Sequence, residues 1–85
     1  MPEYTVKLAK RAEKQLDKLP NSVVGPILTA IAGLITNPRP LGCKKLKGRN
    51  GYRIRVGDYR VIYEVIDFLL VVDVVDLGHR REVYR

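Results

Sequence analysis

At 85 residues, with 46% hydrophobic residues and 29% charged ones, the chain has room for one domain with a thin core; a domain this small buries only about 60% of its unfolded surface. No apolar run approaches the 18 residues a membrane span needs, and Met1-Pro2-Glu3-Tyr4 lacks the basic and apolar pattern of a secretion signal, so a cytoplasmic protein is expected. One cysteine, Cys43, and one histidine, His79, exclude an internal disulfide and a metal cluster, so neither metal nor cofactor is expected.

In chain order, Tyr4 to Leu8 alternates weakly and is rich in strand formers, which predicts a short first strand. From Ala9 the period changes. Ala9, Ala12, Leu16 and Leu19 fall three and four apart, with Lys10, Arg11, Glu13, Lys14, Asp17 and Lys18 on the other face, the pattern of an amphipathic helix that Pro20-Asn21 ends. A second apolar stripe, Val24, Ile27, Leu28, Ile31, Leu34 and Ile35, runs to Asn37-Pro38 and completes a helical hairpin. Pro26 after Gly25 predicts a ragged or late start for this helix, because proline is comfortable only where its missing N–H is unpaired anyway.

Beyond the turn-rich Asn37 to Gly42 the chain reads as strands. Tyr52 to Val56 alternates strictly, Gly57-Asp58 supplies a two-residue turn, and Tyr59 to Ile66 continues. Asp67-Phe68 turns into Leu69 to Leu77, a nearly continuous apolar run that belongs in the middle of a sheet. One domain over residues 1–85 is expected. Its fold class is α/β in the α+β sense: about four strands, mostly antiparallel, with the helical hairpin packed on one face.

Charge is distributed unevenly along this framework. Residues 39 to 60 hold eight Lys/Arg against Asp58 alone, the segment before carries a net +2 and the segment after a net −2, so one 22-residue stretch accounts for the whole excess of +7. A block of one sign in a folded domain costs self-repulsion and reads as a footprint for a polyanion. Strand parity sharpens this. With Gly57-Asp58 as the turn, Arg55 faces Arg60 and Arg53 faces Ile62, so Arg53, Arg55 and Arg60 share the face away from the helices. Two arginines directly across a ladder repel each other, a local cost expected at a functional site. Lys44, Lys45, Lys47 and Arg49 extend this footprint as groups that would position a polyanion through its phosphates. At the C-terminus, Gly78-His79-Arg80-Arg81-Glu82-Val83-Tyr84-Arg85 adds a histidine, further basic groups including Arg81, and a tyrosine.

Leu19-Pro20, Leu46-Lys47-Gly48, the block Gly51 to Tyr63 and Gly78-His79-Arg80 with Tyr84 together resemble the RelE toxins of bacterial and archaeal toxin–antitoxin pairs, over almost the full length of the chain. The resemblance implies a small sheet with two helices on one side, a ribosome-dependent mRNA endonuclease, and a partner antitoxin that neutralises it. By position in the motif it implies that Arg53, Arg55, Arg60, Arg80 and Tyr84 do the cutting. Arginines suit charge stabilisation on phosphate but not proton abstraction, because their pKa lies above about 12. Some RelE toxins carry lysines on the second strand where this chain has Arg53 and Arg55. The base is therefore open between His79 and Tyr84. Two other readings share the fold or the charge: a ParE-like toxin that poisons DNA gyrase by protein contact, and an RNA-binding module without catalysis.

Overall fold

A computed structural model describes residues 3–48 and 50–79. The elements run β1 (Thr5–Leu8), α1 (Lys10–Asp17), α2 (Asn21–Gly33), β2 (Lys44–Lys45), β3 (Gly51–Val56), β4 (Tyr59–Ile66), a single 3-10 turn over Asp67–Leu69, and β5 (Val71–His79). The sheet order is β1-β5-β4-β3-β2, with β1 parallel to β5 and every other pair antiparallel. The α+β class is as expected. The strand count is five rather than about four, because Lys44–Lys45 adds a two-residue edge strand whose exposed lysines carry no alternation to read.

Each helix buries a narrow stripe. In α1 Ala12 is fully buried and Leu16 packs beside it; α2 buries Ile27 and Ile31, with Leu34 just beyond its end. They meet Ile54, Val61, Tyr63, Val72, Val74 and Leu77 from one face of the sheet, and the first three lie on the hairpin face that strand parity turns toward the helices. The apolar run after Asp67 becomes β5, held between β1 and β4, which is why it lacks polar alternation.

The second helix differs from expectation. It begins at Asn21, so Pro26 lies inside it rather than ahead of it. Two interactions explain the early start. Pro20 is extended (φ −61°, ψ 146°) and its carbonyl accepts from the N–H groups of Val23 (2.9 Å) and Val24 (3.1 Å), which fixes the first turn. Pro26 forfeits one helical bond to the carbonyl of Ser22, and Ser22 is exposed where solvent can serve it. Among the described residues no helix is long and apolar enough to cross a membrane.

The β3–β4 hairpin follows the predicted register: Val56 opposite Tyr59, Arg55 opposite Arg60, Ile54 opposite Val61 and Arg53 opposite Ile62. At its tip Gly57 has φ +60° while Asp58 is not left-handed, the glycine-first pattern of a type II′ turn whose twist matches the strands. At the opposite end Leu70 takes a left-handed conformation (φ 53°, ψ 47°) between the 3-10 turn and β5.

A clasp of polar groups holds that end together. The Arg39 guanidinium forks onto Asp67, with Nη1 donating to Oδ1 (3.1 Å) and Nη2 to Oδ2 (2.8 Å), while its Nε donates to the Tyr52 hydroxyl (3.0 Å). The Tyr4 hydroxyl donates to the same carboxylate at 2.7 Å. Beneath them the Tyr63 hydroxyl donates to the Pro38 carbonyl (2.8 Å), and the rings of Tyr52 and Tyr63 stack at 5.9 Å. Burial raises the Tyr63 pKa above the usual phenol range, so the group stays a proton donor at physiological pH.

The Arg39 fork, and then the Tyr4 hydroxyl, lower the Asp67 pKa from 3.8 to about 2. A carboxyl whose folded pKa is depressed adds stability that is complete above its unfolded value and is lost as pH falls through its folded value. Asp67 is therefore expected to contribute to acid unfolding between about pH 4 and pH 2. Asp67→Asn should flatten the dependence of stability on pH in that window, measured by urea titrations at stepped pH. An unaltered acid limb would show that the clasp does not act on stability.

Candidate nucleic-acid interface

Strand alternation places the basic residues. Ile54, Val61 and Tyr63 belong to the core, so Arg53, Arg55 and Arg60 stand on the opposite face, which neither helix covers. Lys44 joins them, because β2 sets it directly across from Arg53. Gly78 lies opposite Arg60 on β5 and puts no side chain beside it. Four cations from three adjacent strands thus share one surface.

Their exposure is graded. Arg55 is exposed, whereas Arg53 and Arg60 are only 9% and 7% exposed. Both buried arginines have interaction partners in the fold. Pre-positioned guanidinium groups lose less side-chain freedom on gripping an anion than solvated ones do. Arg55 and Arg60 line a cleft of about 100 Å³ together with Gly57 and Asp58. Its chemistry suits a single phosphate group: a planar donor on each strand offers paired N–H groups to anionic oxygens.

The structure separates other residues from this set. His79 lies opposite Tyr59, and the two rings meet edge to face at 5.6 Å. Tyr59 packs against the core, so His79 is on the helix-covered face, not with the arginines. As a base acting beside Arg55 and Arg60 it is on the wrong side of the sheet. Lys45, expected to stand with Lys44, turns to that same face, with Nζ 5.3 Å above the Tyr52 ring. Lys47 is exposed in the loop after β2. Arg49, Arg80, Arg81 and Tyr84 lie outside the described residues. Arg39, counted within the basic block, serves the clasp instead. No local pattern announced that role, since its partners Tyr52 and Asp67 are 13 and 28 residues away.

Residues 6–84 match the family model described as the ParE toxin of type II toxin–antitoxin systems. The chain belongs to the RelE/ParE toxin family. This toxin is 32% identical over 87 residues to RelE1 of Methanocaldococcus jannaschii, covering 98% of this chain and 97% of that one. It is 30% identical to the RelE toxin of Mycobacterium tuberculosis, covering 96% of this chain and 87% of the relative. Among solved structures, the RelE–RelB complex of Pyrococcus horikoshii contains a chain that is 34% identical and superposes with a TM-score of 0.83, covering 94% of this chain and 98% of that one. The isolated RelE toxin of E. coli superposes with a TM-score of 0.80 at 32% identity, covering 95% of this chain and 90% of that one. The expected kinship with RelE toxins, and the fold it implied, therefore hold.

Proposed function

We propose that this toxin is an endoribonuclease that cuts mRNA on the ribosome, stopping translation until a cognate antitoxin protein neutralises it in the cytoplasm. The observation that carries the reading is the register that sets Arg55 against Arg60, with Arg53 and Lys44 beside them, on a face that no helix covers. The named relatives support the toxin class, and structures such as the P. horikoshii complex support an antitoxin partner.

The proposed chemistry needs no metal or cofactor. The RNA 2′-oxygen attacks the adjacent phosphorus, the phosphate passes through a pentavalent state, and the 5′-oxygen departs, leaving a 2′,3′-cyclic phosphate. That path requires a base for the 2′-hydroxyl, donors for the extra charge on the phosphate, and a proton for the leaving oxygen. Arg60 and Arg55 act as the donors, with Arg53 behind them, and Arg80 joins them by the resemblance. Because His79 faces the helices, Tyr84 is the better candidate of the two to move the proton.

Lys44, Lys47, Arg49 and Arg81 position message or ribosomal RNA through phosphate, blind to sequence. Replacing Lys44 or Lys47 by alanine is expected to lower the slope of log affinity against log salt by roughly 0.7 to 0.9 per lost contact. Fluorescence anisotropy on an RNA oligonucleotide across a salt series measures it, and an unchanged slope returns that lysine to the solvated surface.

Induced expression, followed by mapping of mRNA ends, tests the whole reading. New ends inside translated frames support the nuclease. The family model carries the ParE name, so the gyrase reading has its own outcome: DNA damage without new mRNA ends. Arrest with neither indicates binding alone.

A further inference from the structure

RNA cleavage by the 2′-oxygen moves two protons, one from the 2′-hydroxyl and one to the leaving 5′-oxygen, and arginine serves neither transfer well. The cleft holds one further functional side chain. Arg55, Gly57, Asp58 and Arg60 line it, and of these only Asp58 can take up a proton. Asp58 is exposed at the hairpin tip and stands two residues before Arg60, the spacing that returns a strand to the same face. The groove on the other side of the turn is walled by Val23, Pro26, Val56 and Tyr59 and offers the carboxylate no cation. The fold does not account for this acid. Asp58 is the single carboxylate among residues 39 to 60, against eight Lys/Arg. A carboxylate beside an anionic oxygen repels it, so a cleft that only held phosphate would be better without one. The turn does not need the charge either: after Gly57 at φ +60°, asparagine or serine serves as well. The ion pairs Arg11–Asp76 and Arg39–Asp67 occupy other carboxylates, and among the described residues none ties up Asp58. A charge that weakens phosphate binding and adds nothing to the fold marks a functional position.

We propose that Asp58 is the general base, its carboxylate taking the proton of the RNA 2′-hydroxyl while Arg55 and Arg60 hold the adjacent phosphate. The assignment rests on the nuclease reading. The 2′-hydroxyl sits on the ribose carbon next to the one that bears the phosphate, so an acceptor in the same cleft as the phosphate donors is placed for it. As the 2′-oxygen bonds to phosphorus, its proton passes to Asp58. The bond from phosphorus to the 5′-oxygen breaks, its electron pair stays on that oxygen, and a proton from the Tyr84 hydroxyl completes the 5′-hydroxyl end. Asp58 then gives its proton to water and Tyr84 regains one, which restores both groups. Two guanidiniums against one carboxylate keep the cleft cationic, so the phosphate is still held.

The test measures single-turnover cleavage of ribosome-bound mRNA at a mapped site, on the normal linkage and on one whose 5′-bridging oxygen is replaced by sulfur. Sulfur departs without a proton, so the modified linkage relieves the loss of a general acid but not of a general base. Asp58→Asn, which keeps the turn, should cut about a hundredfold or more slowly than the parent, the range for losing a general base, and by the same factor on both linkages. Asp58→Ser, equally at home in the turn, should lose as much. Affinity is read by fluorescence anisotropy on an RNA with a 2′-deoxy residue at the scissile position. Asp58→Asn should bind it as tightly as the parent or more so, since a negative charge has left the cleft. Parental cleavage by both folded variants overturns the assignment. So does a loss that disappears on the sulfur linkage, or one matched by weaker binding. A parent that cuts while its Asp58 variants cut equally fast removes Asp58 alone, whereas a parent that leaves ribosome-bound mRNA intact removes the nuclease reading and the assignment with it.

Discussion

Replacing Arg60 by alanine is expected to slow cleavage of ribosome-bound mRNA by roughly a hundredfold to a thousandfold, the cost of removing one preorganised donor from a developing oxyanion. The size of the effect follows from placement. Arg60 is 7% exposed and lines the cleft with Arg55, so its guanidinium is held before substrate arrives. Truncating a buried arginine can also weaken the fold, and the lysine variant resolves the two effects. Arg60→Lys keeps the charge but loses the planar fork, so it should preserve most of the thermal stability while recovering little of the rate. Primer-extension assays on translating ribosomes, paired with melting curves, read both quantities. A folded Arg60→Ala protein that cuts at the parental rate removes Arg60 from the chemistry.

The largest effect on stability is expected at Leu77. Its side chain is fully buried in β5, in the same core cluster as Val61 and Ala12. Leu77→Ala removes that volume without disturbing the backbone, because the Leu77 N–H still donates to the Gln15 side-chain oxygen at 2.9 Å. Burying a cavity of this kind costs about 2 to 5 kcal/mol, against a total of roughly 5 to 15 kcal/mol for a domain. The urea midpoint should fall accordingly, with its slope unchanged. A midpoint equal to the parent's would mean that the surrounding side chains collapse into the space.

These two residues were legible in the sequence for the same reason. Strand alternation with a recognisable two-residue turn fixes pairing within a hairpin, so the face of Arg60 could be read from Tyr52 to Tyr63 alone. Leu77 belonged to an apolar run that only a central strand explains. What escaped the sequence needed distant partners. The placement of His79 depends on how β5 registers against β4, and a bulge between Ile62 and Tyr63 shifts that register mid-strand. The Arg39–Asp67–Tyr4 clasp joins three segments with no common motif. Lys44–Lys45 is too short and too polar to read as a strand. Pro26 was misleading because a local rule about proline yielded to the Pro20 carbonyl and to the burial of Ile27 and Ile31.

The parallel ladder between β1 and β5 has a consequence for synthesis. Thr5 lies beside Val71 and Leu8 beside Val74, so the first strand made has no neighbour until the last one emerges. Contacts that distant in sequence are slow to form and come late. The nascent polypeptide therefore cannot close its sheet, and cannot align its arginines against Gly78, while most of it is still being translated. β1 and β5 can join only after Val71–His79 has been made and released from the tunnel.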